Sequence, residues 1–591
     1  MSLVATFSSL PKTIRGFSTQ LTTTPNGESV VYCNGNSVYI VNIENSTVSD
    51  IYTEHPVPTT IAKFSPSGYY CVSGDQNGNV RIWDTTQTTH ILKATYQVFS
   101  GSIRDISWSE DSKRLAVVGE GKERFGHVFL FDTGTSNGNL SGPTRPVNSV
   151  DFKPTRPYRL ITGSEDNTVA IFDGPPFKFR TILNNHTRFV LVTRFNPSGT
   201  LYASAGSDGK VFIYSSQNDS VIGELIDSKN VAHLGSVFGL TWSFDGENIA
   251  TASGDKTVKI WSGKDFKLLR TINFGSSIDD QQLGIVWTSK YLMSVSLSGF
   301  LNKIDPVSGK ILESRQGHNK PITAMSLGRD GCSIFTSDSM GNTSKFDFLT
   351  GKSTRLDFQS HKSQIVGIQQ LKNGGLITVG WDDMMNVTNS NGITNSFCLP
   401  SQPTDIQISS DDGFTLVSCY NHVMLKGQSK PIDYHSTCCS ISPISDLIAI
   451  GAQDSKVRIY NRKFEIIQIL QQPNSSQITD VSFSPNGNYL AVTDNQRRVI
   501  VYSIAQNFNI ILNRVNHLGK VNCVSWSPNN SRIATGGLDN SIIIWNVKYG
   551  DEEPILIKAA HKMSSINKIV WIDDNQIASA GQDSNLKIWS V

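Results

Sequence analysis

One phrase recurs in this chain and limits what it can fold into. Gly254-Asp-Lys-Thr-Val-Lys-Ile-Trp261, Gly537-Leu-Asp-Asn-Ser-Ile-Ile-Ile-Trp545 and Gly581-Gln-Asp-Ser-Asn-Leu-Lys-Ile-Trp589 each set a small polar turn before an apolar strand ending in an indole. A phrase that returns about every forty residues denotes stacked copies of one supersecondary unit, none of which buries its apolar face alone.

Aligned on that phrase, the unit reads as strand (Val237-Phe-Gly-Leu-Thr-Trp-Ser), turn (Phe244-Asp-Gly-Glu247), strand (Asn248-Ile-Ala-Thr-Ala-Ser253), turn at Asp255, and strand (Val258-Lys-Ile-Trp261). Strand ends run from Ile43 and Trp83 to Trp545 and Trp589, fourteen in all over 591 residues. That is about 42 residues per repeat, the length of a WD repeat and of one four-stranded propeller blade. Helical periodicity is nearly absent, and turn signals recur every eight to twelve residues, as about expected of an all-β fold. The fold class is therefore all-β: two seven-bladed WD-repeat β-propellers in tandem. One ring of fourteen blades would leave a wide axis with nothing to pack.

Ring closure is read from the turns. The last blade ends on its third strand, and Leu3-Val-Ala-Thr-Phe7 is a spare strand with no repeat of its own. At the ring boundary, Ile304-Asp-Pro-Val-Ser-Gly-Lys-Ile-Leu312 reads as a tight hairpin that completes the seventh blade. The expected domains are 10–316, an N-terminal propeller, and 317–591, a C-terminal propeller closed by the N-terminal strand 2–9.

Composition narrows the function. With 52 basic against 50 acidic residues the net charge is +2, which supplies no bulk drive toward nucleic acid or anionic membrane. No stretch reaches the ~18 apolar residues of a membrane helix, and the first residues do not read as a signal peptide. The 8 cysteines form no CxxC pair and read as small buried thiols of a reducing, cytoplasmic protein.

The repeated Asp and His residues suggest catalysis or metal binding at first sight. In this architecture they read instead as a buried hydrogen-bond network that satisfies the turn and ties one blade to the next. His517, Thr535, Asp539 and Trp545 form one such set. GxSxG, HExxH and GxxxxGK[ST] are absent, and Gly119-Glu-Gly-Lys-Glu-Arg-Phe-Gly126 sits between strands without the GK[ST] ending. No enzyme, cofactor or metal site is expected.

Three segments depart from the blade pattern, all in the third to fifth repeats. The 120–126 loop is long and charged and carries Glu123, Arg124 and Phe125. Asp173-Gly-Pro-Pro-Phe177-Lys-Phe179-Arg puts aromatics beside cations on an outer strand, so one of Phe177 and Phe179 is expected at the surface. Arg188 and Phe189 follow in the next connector. Exposed aromatics beside charges are the usual material of interface anchors.

Together with Asp50-Ile-Tyr-Thr-Glu-His55, Arg156-Pro-Tyr-Arg159, Gly163-Ser-Glu-Asp-Asn167, Asp280-Gln-Gln-Leu-Gly284 and Ser294-Val-Ser-Leu-Ser-Gly299, these segments resemble the actin-interacting protein 1 (WD-repeat protein 1) family over essentially the whole chain. The resemblance implies a protein that binds actin filaments decorated by ADF/cofilin, promotes severing and disassembly, and limits barbed-end regrowth. It further implies a cytoplasmic location at the actin cytoskeleton and a monomer with no nucleic-acid or membrane partner. The matching positions are Glu123, Glu165, Phe179 and Phe189; the family often has Asp where this chain has Glu165. The competing reading is a generic WD-repeat scaffold, such as a ubiquitin-ligase substrate receptor. Such proteins usually carry a docking module beside the propeller, and almost nothing here lies outside the repeats.

Overall fold

The computed structural model describes residues 2–87, 89–122, 124–356, 361–389, 392–472, 475–547 and 552–591. Among them lie fourteen four-stranded antiparallel sheets. All but one are meanders whose strands pair in chain order, as in Val237–Trp242, Asn248–Ser253, Thr257–Ser262 and Leu268–Asn273. The chain divides into one unit from Leu10 to Gln316 and another from Gly317 to Val591 that includes the residues up to Ser9. Each unit holds seven sheets, so the fold is two tandem seven-bladed WD-repeat propellers.

The exception among the sheets closes the second ring. Leu586–Ser590 has Gln576–Gly581 on one side and Ser2–Phe7 on the other, with Ala5 opposite Ile588 and Phe7 opposite Leu586. Phe7 is buried with Ile322, Ile334 and Phe346, and its ring meets Phe346 edge-on at 5.2 Å. The Ser9 N–H donates to Asn585 Oδ1 at 2.7 Å. In the first unit, the first and last blades join at the Lys303 Nζ–Glu44 Oε2 ion pair (2.7 Å) and by the Thr19 N–H donating to Leu283 O.

Local chemistry sets the strands and turns. Inward positions are Val, Ile, Leu and Ala, which suit a pleated surface covered on both faces. In the turn before the third strand an Asp carboxylate accepts the N–H two residues on, as Asp255 does from Thr257 (3.1 Å). The residue between them, Lys256, takes φ +71°, and Asn540 in the equivalent turn takes φ +64°.

Those aspartates also tie the connector that enters each blade to that blade's second and third strands. His517 Nδ1 lies 3.0 Å from Asp539 Oδ2, and His517 Nε2 lies 2.8 Å from Thr535 Oγ1. The Trp545 indole N–H donates to the same hydroxyl at 2.9 Å. One assignment satisfies all three contacts: Nδ1–H donates to the carboxylate, and Nε2 accepts from the threonine. His186, His233, His318, His361 and His561 repeat the arrangement with Asp208, Asp255, Asp338, Asp382 and Asp583. Burial acts to raise the Asp539 carboxyl, but the bond from His517 and the N–H of Leu518 and Ser541 outweigh it and hold the group below the usual range.

A second device sits on the innermost strands. Asp105, Asp151, Asp405 and Asp480 each accept an N–H from the following blade, from Val150, Phe195, Cys439 and Val524. Arg194 and Lys63 both pair with Asp105. All eight cysteines are free thiols; six are buried, whereas Cys332 is half-buried and Cys398 exposed on an outer strand, against the expectation of uniformly buried thiols.

Candidate functional site

In a four-stranded antiparallel meander, the turn between the second and third strands and the connection to the next blade leave from the same end. Three of the unusual sequence features therefore share one face of the first unit: the 120–125 loop, the Ser164–Thr168 turn with Glu165, and the connector carrying Arg188 and Phe189.

Arg104 organises that face. It stands at the start of the inner strand Ile103–Trp108. Its Nη2 donates to Glu120 Oε1 at 2.6 Å, and its Nη1 reaches Glu165 Oε1 at 2.5 Å and also Asn148 Oδ1. Asn148 in turn donates to Val190 O at 2.9 Å. One guanidinium fork thus joins the third, fourth and fifth blades, a geometry that planar arginine serves and lysine does not. Glu165 is half-buried, and its own N–H bonds Pro146 O.

The connector is held by the blade lock beneath it. His186 and the N–H of Thr187 both bond Asp208, and Phe189 O accepts from Ser207 N–H at 2.8 Å. Arg188 is exposed, and Phe189 is 40% exposed. A cavity of about 590 Å³ opens here, bounded by Arg104, Glu120, Glu165 and Phe189.

Gly121 is closely surrounded. A Cβ on Gly121 would fall 1.6 Å from Arg124 O, so only glycine fits there. Arg124 is exposed and reaches Asn139 Oδ1 and Val98 O. Phe125 is half-buried against the core of the third and fourth blades. Glu123 lies outside the described residues.

Phe177 requires a correction. It is 2% exposed, packed edge-on against Phe152 at 5.4 Å, and is no surface anchor. The strand begins at Lys178, so Phe177 belongs to the preceding turn. Its N–H bonds Asn137 O on the neighbouring blade (2.9 Å), which brings the ring in between the two blades. Phe179 is the exposed member, at 45%. It lies on an outer strand opposite Phe172 and does not line the cavity with Glu165 and Phe189.

Sequence reasoning missed Arg104, Ile14 and Phe17. Arg104 is a lone cation at the axial end of an inner strand. Ile14 and Phe17, which line the cavity, are large apolar residues in a polar stretch belonging to no repeat, and that signal was available. Among the described residues, no group of three or more His, Cys, Asp or Glu side chains is arranged to hold a metal.

Comparison with known proteins supplies the family. The WD domain, G-beta repeat family matches residues 46–84, 134–173, 177–215, 227–262, 510–546 and 553–590. The anaphase-promoting complex subunit 4 WD40 domain family matches residues 439–513. The chain is 50% identical over 605 residues to actin-interacting protein 1 of Caenorhabditis elegans, covering 100% of this chain and 99% of that protein. It is 40% identical to actin-interacting protein 1 of Drosophila melanogaster, covering 99% of this chain and 97% of that one. It is 38% identical to WD repeat-containing protein 1 of Xenopus tropicalis, covering 99% and 98%. With identity at these levels over nearly the whole of both chains, the chain belongs to the actin-interacting protein 1 (WD repeat-containing protein 1) family.

Proposed function

We propose that this protein is an actin-binding regulator that promotes ADF/cofilin-dependent severing and disassembly of actin filaments and limits regrowth at barbed ends. One observation carries the reading: similarity that runs the length of the chain to proteins named for interaction with actin. The protein acts as a monomer in the cytoplasm, at the actin cytoskeleton, with actin filaments and ADF/cofilin as partners and no nucleic acid or membrane. Its two propeller domains are 10–316 and 317–591, the second closed by residues 2–9. The contact residues are Glu123, Arg124, Glu165, Phe179, Arg188 and Phe189, with Phe125 supporting the loop from below.

It is not an enzyme, so its effect on filaments comes from binding energy. A ligand shifts an equilibrium only by its differential affinity for two states. The protein therefore binds cofilin-strained or end-exposed filament better than bare filament. Co-sedimentation with actin filaments, with and without cofilin, tests this, with supernatant and pellet both measured. Actin moves to the supernatant when cofilin is present and stays in the pellet when it is not. Equal release under both conditions refutes the reading.

A further inference from the structure

The seam between the first two blades of the first unit is fastened by a histidine unlike those that bond the turn aspartates. The first blade ends in the outer strand Ser49–Tyr52, and the second runs from Thr59–Phe64 to its own outer strand Leu92–Gln97. His90 stands in the turn before that last strand, buried and at φ +43°. Its Nε2 lies 2.6 Å from Asp50 Oδ2 on the first blade, and its Nδ1 lies 3.3 Å from Asp84 O in its own turn.

Both of these oxygens only accept, one being a carboxylate and the other a backbone carbonyl. A neutral imidazole carries one N–H and serves one of them, which leaves a bare nitrogen lone pair against the other oxygen. Only the imidazolium donates to both. The histidines at the blade entrances differ at this point. In His55, His186 and His233, Nε2 meets a Ser or Thr hydroxyl, which donates to it, so the neutral ring is satisfied. Burial pushes His55 down to about 4.

The surroundings of His90 favour the charge. Asp50 faces it directly. The Asp84 carboxylate, bonded by Thr86, adds a second negative charge within the turn. Lys93, on the adjoining strand, is engaged by Tyr70 Oη at 3.0 Å. The imidazole is 5.0 Å from the Trp83 ring, within the distance at which an indole attracts a cation. Tyr52, 6.4 Å away and stacked on Trp83, has its phenol raised by burial, and Arg81 and Glu54, which act on it, are opposite in sign. A cavity of about 390 Å³ opens at this seam, lined by Phe64, Gly68 and Thr85 with Asp50 and His90, the two titratable groups in its lining.

We infer that His90 is a proton-held clamp: as the imidazolium it bridges Asp50 of the first blade to the turn at Asp84 of the second, and on losing its proton it releases Asp50 and loosens the seam. The sign follows from linkage. A histidine that gains a carboxylate partner on folding has its folded pKa raised above the unfolded value of about 6.5. The stabilisation is therefore full below about pH 6.5 and is lost as pH rises through the folded value.

The experiment is NMR titration of the full chain carrying histidine labelled with carbon-13 at Cε1, from about pH 5 to about pH 9. The signal missing from His90→Gln belongs to His90. It titrates with a midpoint above about 6.5, and Asp50→Asn, at a half-exposed position, moves that midpoint down by about one pH unit. A midpoint at or below about 6.5, or one that Asp50→Asn leaves in place, overturns the clamp. If His90→Gln does not fold, the signal that Asp50→Asn moves identifies His90, and the absence of any moved signal overturns the clamp equally. Hydrogen exchange of the wild-type chain, corrected for the intrinsic pH dependence of exchange, reads the seam itself. Protection in 49–52 and 84–97 falls by up to about tenfold across the His90 midpoint, the factor carried by one unit of pKa shift, while 103–119 in the third blade holds. No fall, or an equal fall across all three segments, refutes the loosening.

Discussion

Replacing Phe7 by alanine tests how the second ring is held shut. The Phe7 ring is 4% exposed, meets Phe346 edge-on at 5.2 Å, and packs in the cluster with Ile322, Ile334 and Ile588. Truncating a buried Phe costs about 3–5 kcal/mol from lost transfer energy and the cavity left behind. The lower end applies here, because the closing strand lies at the sheet edge and its first residues, Leu3 and Val4, are already about half exposed at 47% and 53%. A loss of about 3 kcal/mol lowers Tm by roughly 5 °C in a unit of this size. The loss belongs to one unit only, since Phe7 packs with residues of the Gly317–Val591 part. Hydrogen exchange read peptide by peptide separates the two: Phe7→Ala lowers amide protection in 317–591 and leaves 10–316 at wild-type level. Equal loss in both, or loss confined to 10–316, refutes the reasoning. A shift under about 2 °C also refutes it, because the strand is then not holding the ring.

Two further outcomes follow from the geometry. Phe177→Ala destabilises the first unit by about 3–5 kcal/mol, whereas Phe179→Ala leaves Tm within about 2 °C and weakens filament binding; urea melts beside co-sedimentation check both, and a reversed pattern refutes the burial assignment. The blade locks predict acid sensitivity. Burial acts to raise Asp255 and Asp583, but their histidine partners and further donors outweigh it and hold both down to about 2. The unfolded chain therefore takes up these protons first, so this stability is present above about pH 4 and is lost as pH falls toward about 2. Urea melts across that window show stability falling with pH in wild type and a shallower fall in the Asp255→Asn, Asp583→Asn variant; equal slopes refute it.

How much of this was legible in the sequence depends on the range of the interaction. The fourteen-fold repeat, the strand and turn phase within a blade, and the Asp-turn with its Ser/Thr and aromatic partners are local patterns. Thr535, Asp539 and Trp545 fall within one hairpin, and the hairpin alone sets their spacing. His517 precedes that hairpin by one strand, in the connector entering the same blade, so the repeat length carries it into place.

What only the tertiary structure decided are the matters that depend on a neighbouring blade. Strand alternation separates Phe177 from Phe179 only if the strand boundary is known. That boundary is set by the Phe177 N–H bonding Asn137 O on another blade. The meeting of Arg104, Glu120 and Glu165 has no signature in their spacing, because the angle between consecutive blades sets it. Phe17 follows no repeat, and only the hydrogen bonds that pin its segment, Lys12 N–H to Cys33 O and Thr19 N–H to Leu283 O, set it at the cavity beside Arg104. The sequence by itself determined the scaffold, since each blade repeats one local solution. Tertiary packing determined which departures from that solution stand together at the surface, because side chains from separate blades meet only once the ring has closed.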